Sequence, residues 1–408
     1  MNDHRHVGKR APFVCSSLRL LSALCAPAVI LFFFLLPFTA GTSLSPPGSA
    51  QTAPLHRVEE EVVAFAWAPD GRLAYAVKRI LKRGRVEMQR DDIWLLAPGG
   101  ERKRIVNGEK LVKSPTPFSY ATRSLLWSPD GTRLTAELDT SQVIDSDFNT
   151  KDSTVTLLLD QNGKEINIAG AQSIIEEGLS GAWLPDGVTV GFLTEASKPR
   201  LLFQLNSVRP VAGRGTRLFN ESTFAAVAWD LRRGVPNAAL AIERDKALRG
   251  PFRLVALDLV RETRRELAVL DGYTGELALA ADGTKIAYFT NPQTLEIRDV
   301  NQPERYLRLA AGQGEIAWTP DGRRIVLKRG AAARDARSSP SRRTGMLVWF
   351  TIPPLEAQAA GEVPSPVEVA PEALLSGRMF RDFAVSPDGS TIAVTEPGSR
   401  HLHVFPLK

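Results

Sequence analysis

One short pattern returns six times in this chain, and its recurrence limits the fold more than any other feature. The copies read FAWAPDGRLAYA (65–76), LLWSPDGTRLTA (125–136), GAWLPDGVTVGF (181–192), LALAADGTKIAY (277–288), IAWTPDGRRIVL (316–327) and FAVSPDGSTIAV (383–394). A degenerate seventh, VAWDLRRGVPNAALAI (227–242), keeps the Trp and has lost the turn. In each unit an apolar run ends at a fixed slot: Trp67, Trp127, Trp183, Trp229, Leu279, Trp318 or Val385. A tight turn follows, in which Pro presets φ, Asp bonds its own backbone and Gly accepts a positive φ. An alternating run comes next, so each unit starts as a β-hairpin.

A third apolar run follows each hairpin, such as IWLLA (93–97), VTLLL (155–159) or HLHVF (401–405). A weaker fourth run follows most of these, such as KRIVN, EINIA, TRLFN and RELAVL. Four antiparallel strands per unit, repeated around an axis, make a propeller blade. The expected fold is therefore all-β: a seven-bladed propeller of four-stranded antiparallel blades, preceded by an N-terminal apolar helix. Longer units hold insertions, at KRILKRGRVEMQRDD in the first, DTSQVIDSDFNTKDS in the second, and GAAARDARSSPSRRTG and PPLEAQAAGEVPSPVEVAPE in the sixth. The last unit lacks a fourth strand. Residues 54–58 belong to no unit of their own, so they are expected to pair with 401–405 and close the ring.

The WSPDGxxLA unit with its DIWLL-like strand resembles the TolB-type WD-like repeat of bacterial β-propellers, over roughly 54–408. The resemblance implies a binding platform of the cell envelope or an accessory domain on an enzyme. TolB itself carries an α/β domain ahead of its propeller. Only a short linker precedes the first repeat here, which counts against a role in the Tol system.

Three segments follow: 1–40 as an export signal or membrane anchor, 41–53 as a Ser/Pro-rich linker, and 54–408 as the propeller. Residues 20–40, LLSALCAPAVILFFFLLPFTA, are uncharged and follow Arg5, Lys9, Arg10 and Arg19. A basic flank before a long apolar run orients the rest of the chain out of the cytoplasm. The run is near the roughly 20 residues that span a bilayer, so an uncleaved anchor and a cleaved signal both remain open. Both cysteines, Cys15 and Cys25, fall in this segment. The net charge is +6, and the basic flank holds half of it. The propeller is close to neutral for its size and has no interleaved basic and aromatic residues, so nucleic acid is excluded as a partner.

Catalytic and metal signatures are sparse. There is no Gly-x-Ser-x-Gly elbow. Asp145, Asp147 and Asn149 start a calcium-loop pattern, but Thr150 and Thr156 stand where its Gly and Glu belong. His401 and His403 alternate along one strand without a third ligand, and read as edge-strand surface residues. Basic stretches at Lys78 to Arg85 and Arg329 to Arg343 read as solvated loops. No cofactor or metal is expected.

The repeat itself yields the candidate site. Three residues before the slot stand Ala64, Ser124, Ser180, Ala226, Glu276, Glu315 and Asp382. Its three acids fall in consecutive units, on the strand that lines a propeller's channel. Arg123 and Arg381 lie one residue earlier and are the internal cations expected to neutralise them. These five residues form the candidate channel-mouth binding site. The expected function is a non-catalytic extracytoplasmic module that binds a protein or an envelope glycan. The alternative is a propeller-type lyase, lactonase or glycosidase that uses the channel carboxylates.

Overall fold

The computed structural model describes residues 53–407, apart from 112–117, 145–148, 167–177, 184–189, 198–201, 210–213, 218–223, 232–237, 246–248, 259–260, 262, 331–343 and 359–363. The expected N-terminal helix lies outside the described residues, as do most of the linker and the acids Asp145 and Asp147. Among the described residues no helix is long and apolar enough to cross a membrane.

The described chain is all-β. Its strands form antiparallel sheets, most of them four-stranded, an organisation consistent with a propeller. Seven main sheets, I to VII, follow the sequence units, and a two-stranded ribbon stands apart. Their inner strands are Val62–Trp67, Phe118–Trp127, Gly178–Trp183, Phe224–Leu231, Leu277–Leu279, Gly314–Trp318 and Phe383–Val385. Each inner strand touches the inner strand of the next sheet, and that of sheet VII touches that of sheet I. Apolar clusters fill the spaces between sheets. One joins I to II through Leu125, Trp127, Ala74 and Leu95, and another joins VI to VII through Val326, Leu347, Phe383 and Phe405.

The slot tryptophan has a specific task. Trp127 Nε1 donates to the Ala66 carbonyl of the preceding sheet at 3.2 Å, and Trp318 Nε1 to Ala278 at 3.0 Å. Trp67 Nε1 reaches Ala384 at 3.1 Å, which links sheet I back to sheet VII. In these three bonds the acceptor is the residue just before the slot of the neighbouring sheet. One ring thus supplies both apolar area and a hydrogen bond to a strand carbonyl.

The Asp-Gly turns are structural, as their repetition suggests. Gly131 N bonds Ser128 O at 2.9 Å while Asp130 Oδ1 accepts from Thr132 N at 3.1 Å. The same pair of bonds recurs at Asp282, Asp321 and Asp388. The turn glycines take φ between 62° and 83°, the region open to glycine. These aspartates are consumed by their own turns.

The ring closes as the sequence requires. His56–Val58 pairs antiparallel with Leu402–Pro406, in register His56 with Val404, Arg57 with His403 and Val58 with Leu402. Closure makes the His403 strand an interior strand, and this corrects the edge-strand reading. His403 is buried, stacks on Phe405, and has its Nε2 at 3.0 Å from Glu396 Oε1.

Two other details differ from expectation. Sheet II has three strands among the described residues, and Glu165 contributes only a single bridge to Leu159. The Pro-rich insertion of sheet VI is not a free hairpin. Its described parts run beside the outer strand of sheet V, Tyr306–Ala310: Ala310 N bonds Val367 O at 3.1 Å, and Tyr306 N bonds Glu356 O at 3.2 Å. Leu355 and Val369 pack onto the core between V and VI. The insertion thus supplies partners to an edge strand whose backbone groups would otherwise face water.

Candidate channel-mouth site

Register places the candidate residues. On an inner strand, the residue three before the slot pairs with a fixed position on the second strand: Ser124 with Glu137, and Glu315 with Lys328. In sheet VII the Thr395 hydroxyl donates to Asp382 Oδ2 at 3.0 Å, and Asp382 N to the Thr395 oxygen at 3.2 Å. All these positions lie at the end of the ring where the inner strands begin.

A cavity of about 450 Å³ opens at that end. Glu315, Asp382, Arg381 and Arg123 line it, together with Lys78, Asp139 and Arg400. Four of the five sequence-derived residues therefore meet in one space. Glu276 does not line it. Glu276 stands one sheet over, where its carboxyl feels the charges of Glu315 and Lys328.

The neutralising groups differ in part from the expected pair. Lys328, nearly fully buried, places Nζ 2.6 Å from Glu315 Oε2 and also donates to the Arg381 carbonyl. Arg381 pairs with its own neighbour, Asp382, at 3.5 Å. Arg123 does not reach the three acids; it lies 3.9 Å from Glu137 and 4.0 Å from Asp139. On the far side Glu61 takes both Lys78 at 3.0 Å and Arg400 at 3.2 Å. Ser124 Oγ donates to Glu137 at 3.0 Å. The mouth carries paired charges of both signs and is not a plain acidic arc. Extending the repeat offset to the second strand would have shown Lys328 and Glu137 in the sequence. Lys78, Arg400 and Glu61 sit in connections, where no offset applies.

Burial sets the titration of Glu276 and Glu315. It pushes the Glu276 carboxyl up to about 7, helped by the negative charge of Glu315 and opposed by Lys328. Burial also raises Glu315, against the pull of Lys328 and with a smaller push from Asp382. Desolvation penalises the charged form, and a like charge adds to it. Glu276 also holds a left-handed backbone, φ 58°, directly after Gly275 at φ 111°. A bulky residue in that region costs energy that surrounding structure has to offset.

Two buried acids, Glu296 and Asp91, have partners within the fold. Glu296 is held by Arg298 at 2.6 Å and Arg308 at 3.0 Å, and accepts from Tyr288. Asp91 accepts from Thr122 N at 2.6 Å and so ties sheet I to sheet II. Among the described residues no group of three or more His, Cys, Asp or Glu side chains is arranged to hold a metal ion.

No family model and no curated protein matches the chain. Among solved structures, a chain of one titled "Crystal Structure of Mitotic Checkpoint Complex" aligns with 91% of this chain and 99% of its own. Its sequence identity is 11% and the TM-score is 0.46, so the description of the fold rests on the strand pairing itself.

Proposed function

We propose that this chain is a seven-bladed propeller built from TolB-type WD-like repeats, and that it acts as a non-catalytic binding module. Residues 1–40 serve as the export signal or anchor, 41–53 as the linker and 54–408 as the propeller. The propeller stands outside the cytoplasm and offers its channel mouth to a protein or an envelope glycan. One observation carries the reading: the cavity gathers charged side chains of both signs from sheets I, II, VI and VII, at the end of the ring where the inner strands begin. Partly desolvated charges held at a concave opening suit recognition of a polar group. The test is affinity capture of the full chain from native membranes, beside a variant carrying E276Q, E315Q and D382N. Capture should weaken while circular dichroism still reports the folded β-sheet; the melting temperature falls because E315Q removes the partner of buried Lys328. Unchanged capture would move the binding site to another surface.

A second reading is favoured by one observation. A carboxyl raised to about 7 beside an ion-paired carboxylate is an arrangement that acid–base chemistry uses. Under this reading the module is a lyase, lactonase or glycosidase, with Glu276 as the acid. Turnover of polysaccharide or lactone substrates that is lost in E276Q would support it and displace the first.

A further inference from the structure

The mouth cavity keeps hydrogen-bonding capacity that the fold does not use, and this capacity is of opposite kinds on different sheets. Sheets VI and VII offer acceptors. Asp382 is fixed by Thr395: its N donates to the Thr395 hydroxyl at 3.2 Å, that hydroxyl donates to Asp382 Oδ2 at 3.0 Å, and Thr395 N donates to the Asp382 carbonyl at 3.0 Å. Lys328, which does not line the cavity, holds Glu315 Oε2 at 2.6 Å and donates to the Arg381 carbonyl, so it joins the two sheets next to both carboxylates. Among the described residues Asp382 Oδ1 and Glu315 Oε1 accept no hydrogen bond, and both residues line the cavity.

Sheet II offers donors. The register of Phe118–Trp127 against Arg133–Val143 shifts between Thr122, opposite Leu138, and Ser124, opposite Glu137. Arg123 is the extra residue of this bulge. A bulge re-aims a side chain that plain alternation would fix, and Arg123 lines the cavity. The same shift occurs in sheets I and IV, at Val63 and Val227. The bulge therefore belongs to the repeat, and the cation placed on it belongs to sheet II. The Arg123 guanidinium makes no hydrogen bond among the described residues. Its nearest acids, Glu137 and Asp139, lie at 3.9 and 4.0 Å, and 44% of the side chain is exposed. Two further cations of the cavity, Lys78 and Arg400, share the single carboxylate of Glu61, which does not line it.

We propose that the mouth holds a small zwitterion, an amino acid or short peptide with both ends free, its ammonium on Asp382 and Glu315 and its carboxylate on Arg123. The inference rests on the mouth being a binding site and goes beyond that reading by naming the ligand. The cavity, about 450 Å³, has the volume of a small-molecule site, roughly 300–1,000 Å³. A carboxylate matches the planar fork of a guanidinium, and an ionised group at each end makes stronger bonds than a neutral one. A ligand with only negative charge would meet Asp382 and Glu315, and one with only positive charge would meet Arg123. The fixed charges of the cavity thus select for a ligand that carries both.

The probes are alanine, dialanine and trialanine, titrated into the full-length protein in detergent by isothermal calorimetry. The length that binds best reports how far apart the acceptors and donors stand. That probe is then compared with its N-acetyl form, which lacks the ammonium, and its C-terminal amide, which lacks the carboxylate. Blocking either end should cost roughly tenfold, the loss expected for one charge-assisted bond. Arg123→Gln should weaken the free and N-acetyl forms by a similar factor and leave the amide unchanged. Asp382→Asn retains an oxygen for the Thr395 hydroxyl; it should weaken the free and amide forms and leave the N-acetyl form unchanged. A variant that had only lost its fold would weaken all forms alike, so the crossed pattern separates binding from stability. The inference is overturned if none of the three probes binds, if the blocked forms bind as well as the free one, or if both variants bind every form like the parent. A neutral cell-wall oligosaccharide separates this failure from failure of the binding reading. Saccharide binding that is lost in the triple variant, with no alanine probe bound, would sustain the binding module and reject the zwitterion.

Discussion

Ring closure offers the sharpest test of how the fold is held. Deleting residues 53–58 removes the outer strand of sheet VII, including Val58, which is 1% exposed and packs with Leu73, Tyr75, Leu402 and Val404. Burial of one valine side chain is worth about 2 kcal/mol. The strand also carries three residue pairs and the Leu55 N to Val404 O bond at 2.7 Å. At about 1 kcal/mol net for each of three or four hydrogen bonds, the total loss is about 5 kcal/mol. That is a large share of the roughly 5–15 kcal/mol that holds a typical domain. Urea unfolding followed by tryptophan fluorescence should show the midpoint falling steeply on deletion. Val58→Ala should lower the unfolding free energy by about 1–3 kcal/mol, by removing buried methyl groups. Leu55→Ala, at a residue 55% exposed, is the control and should change little. A deletion costing under about 1 kcal/mol would mean that the Trp67 to Ala384 bond and the inner-strand contacts close the ring unaided, and the argument from the outer strand would fail.

Other outcomes follow from individual contacts. Trp318→Phe keeps most of the packing but orphans the Ala278 carbonyl, and should cost about 1–3 kcal/mol by urea titration. Lys328→Met leaves the Glu315 carboxylate facing a buried apolar group and should cost about 3–5 kcal/mol, most of which the added change Glu315→Leu recovers. His403 is held below its usual pKa, first by burial and then by Arg57, Arg378 and His401, against the pull of Glu396. The unfolded chain therefore binds its proton more readily, so stability falls as pH drops below about 6.5, and His403→Gln should flatten that fall. Glu276 runs the other way: its folded pKa of about 7 lies above that of an ordinary glutamate, so its contribution is present at acid pH and lost as pH rises toward 7. The stability difference between E276Q and the parent should accordingly grow in favour of E276Q from pH 5 to pH 8. For location, protease added outside spheroplasts should digest or release the propeller, and protection until lysis would reject export.

The outline of the fold was legible because a propeller repeats its local chemistry. Trp at the slot in five units, Asp-Gly turns in six and alternation on either side mark the sheets one by one. A single offset also put Glu315 and Asp382 in one cavity, while Glu276, at the same offset, lies outside it. The Pro-rich insertion of sheet VI was not legible in the same way. Its partner is the outer strand of sheet V, and no local pattern names a distant edge. His403 was misread because its burial depends on residues 56–58, more than three hundred positions away.

The sequence alone determined the unit, its turn, its slot and the pairing that closes the ring, since each follows from short-range periodicity and the need to satisfy strand edges. The tertiary structure decided which charges meet. Only three-dimensional packing sends Lys328 to Glu315, turns Arg123 toward Glu137 and leaves Glu276 unpaired, because side-chain pairing depends on distances of a few ångströms across sheets. A repeat position fixes where a residue stands in its own blade; its neighbours in the next blade fix its charge state.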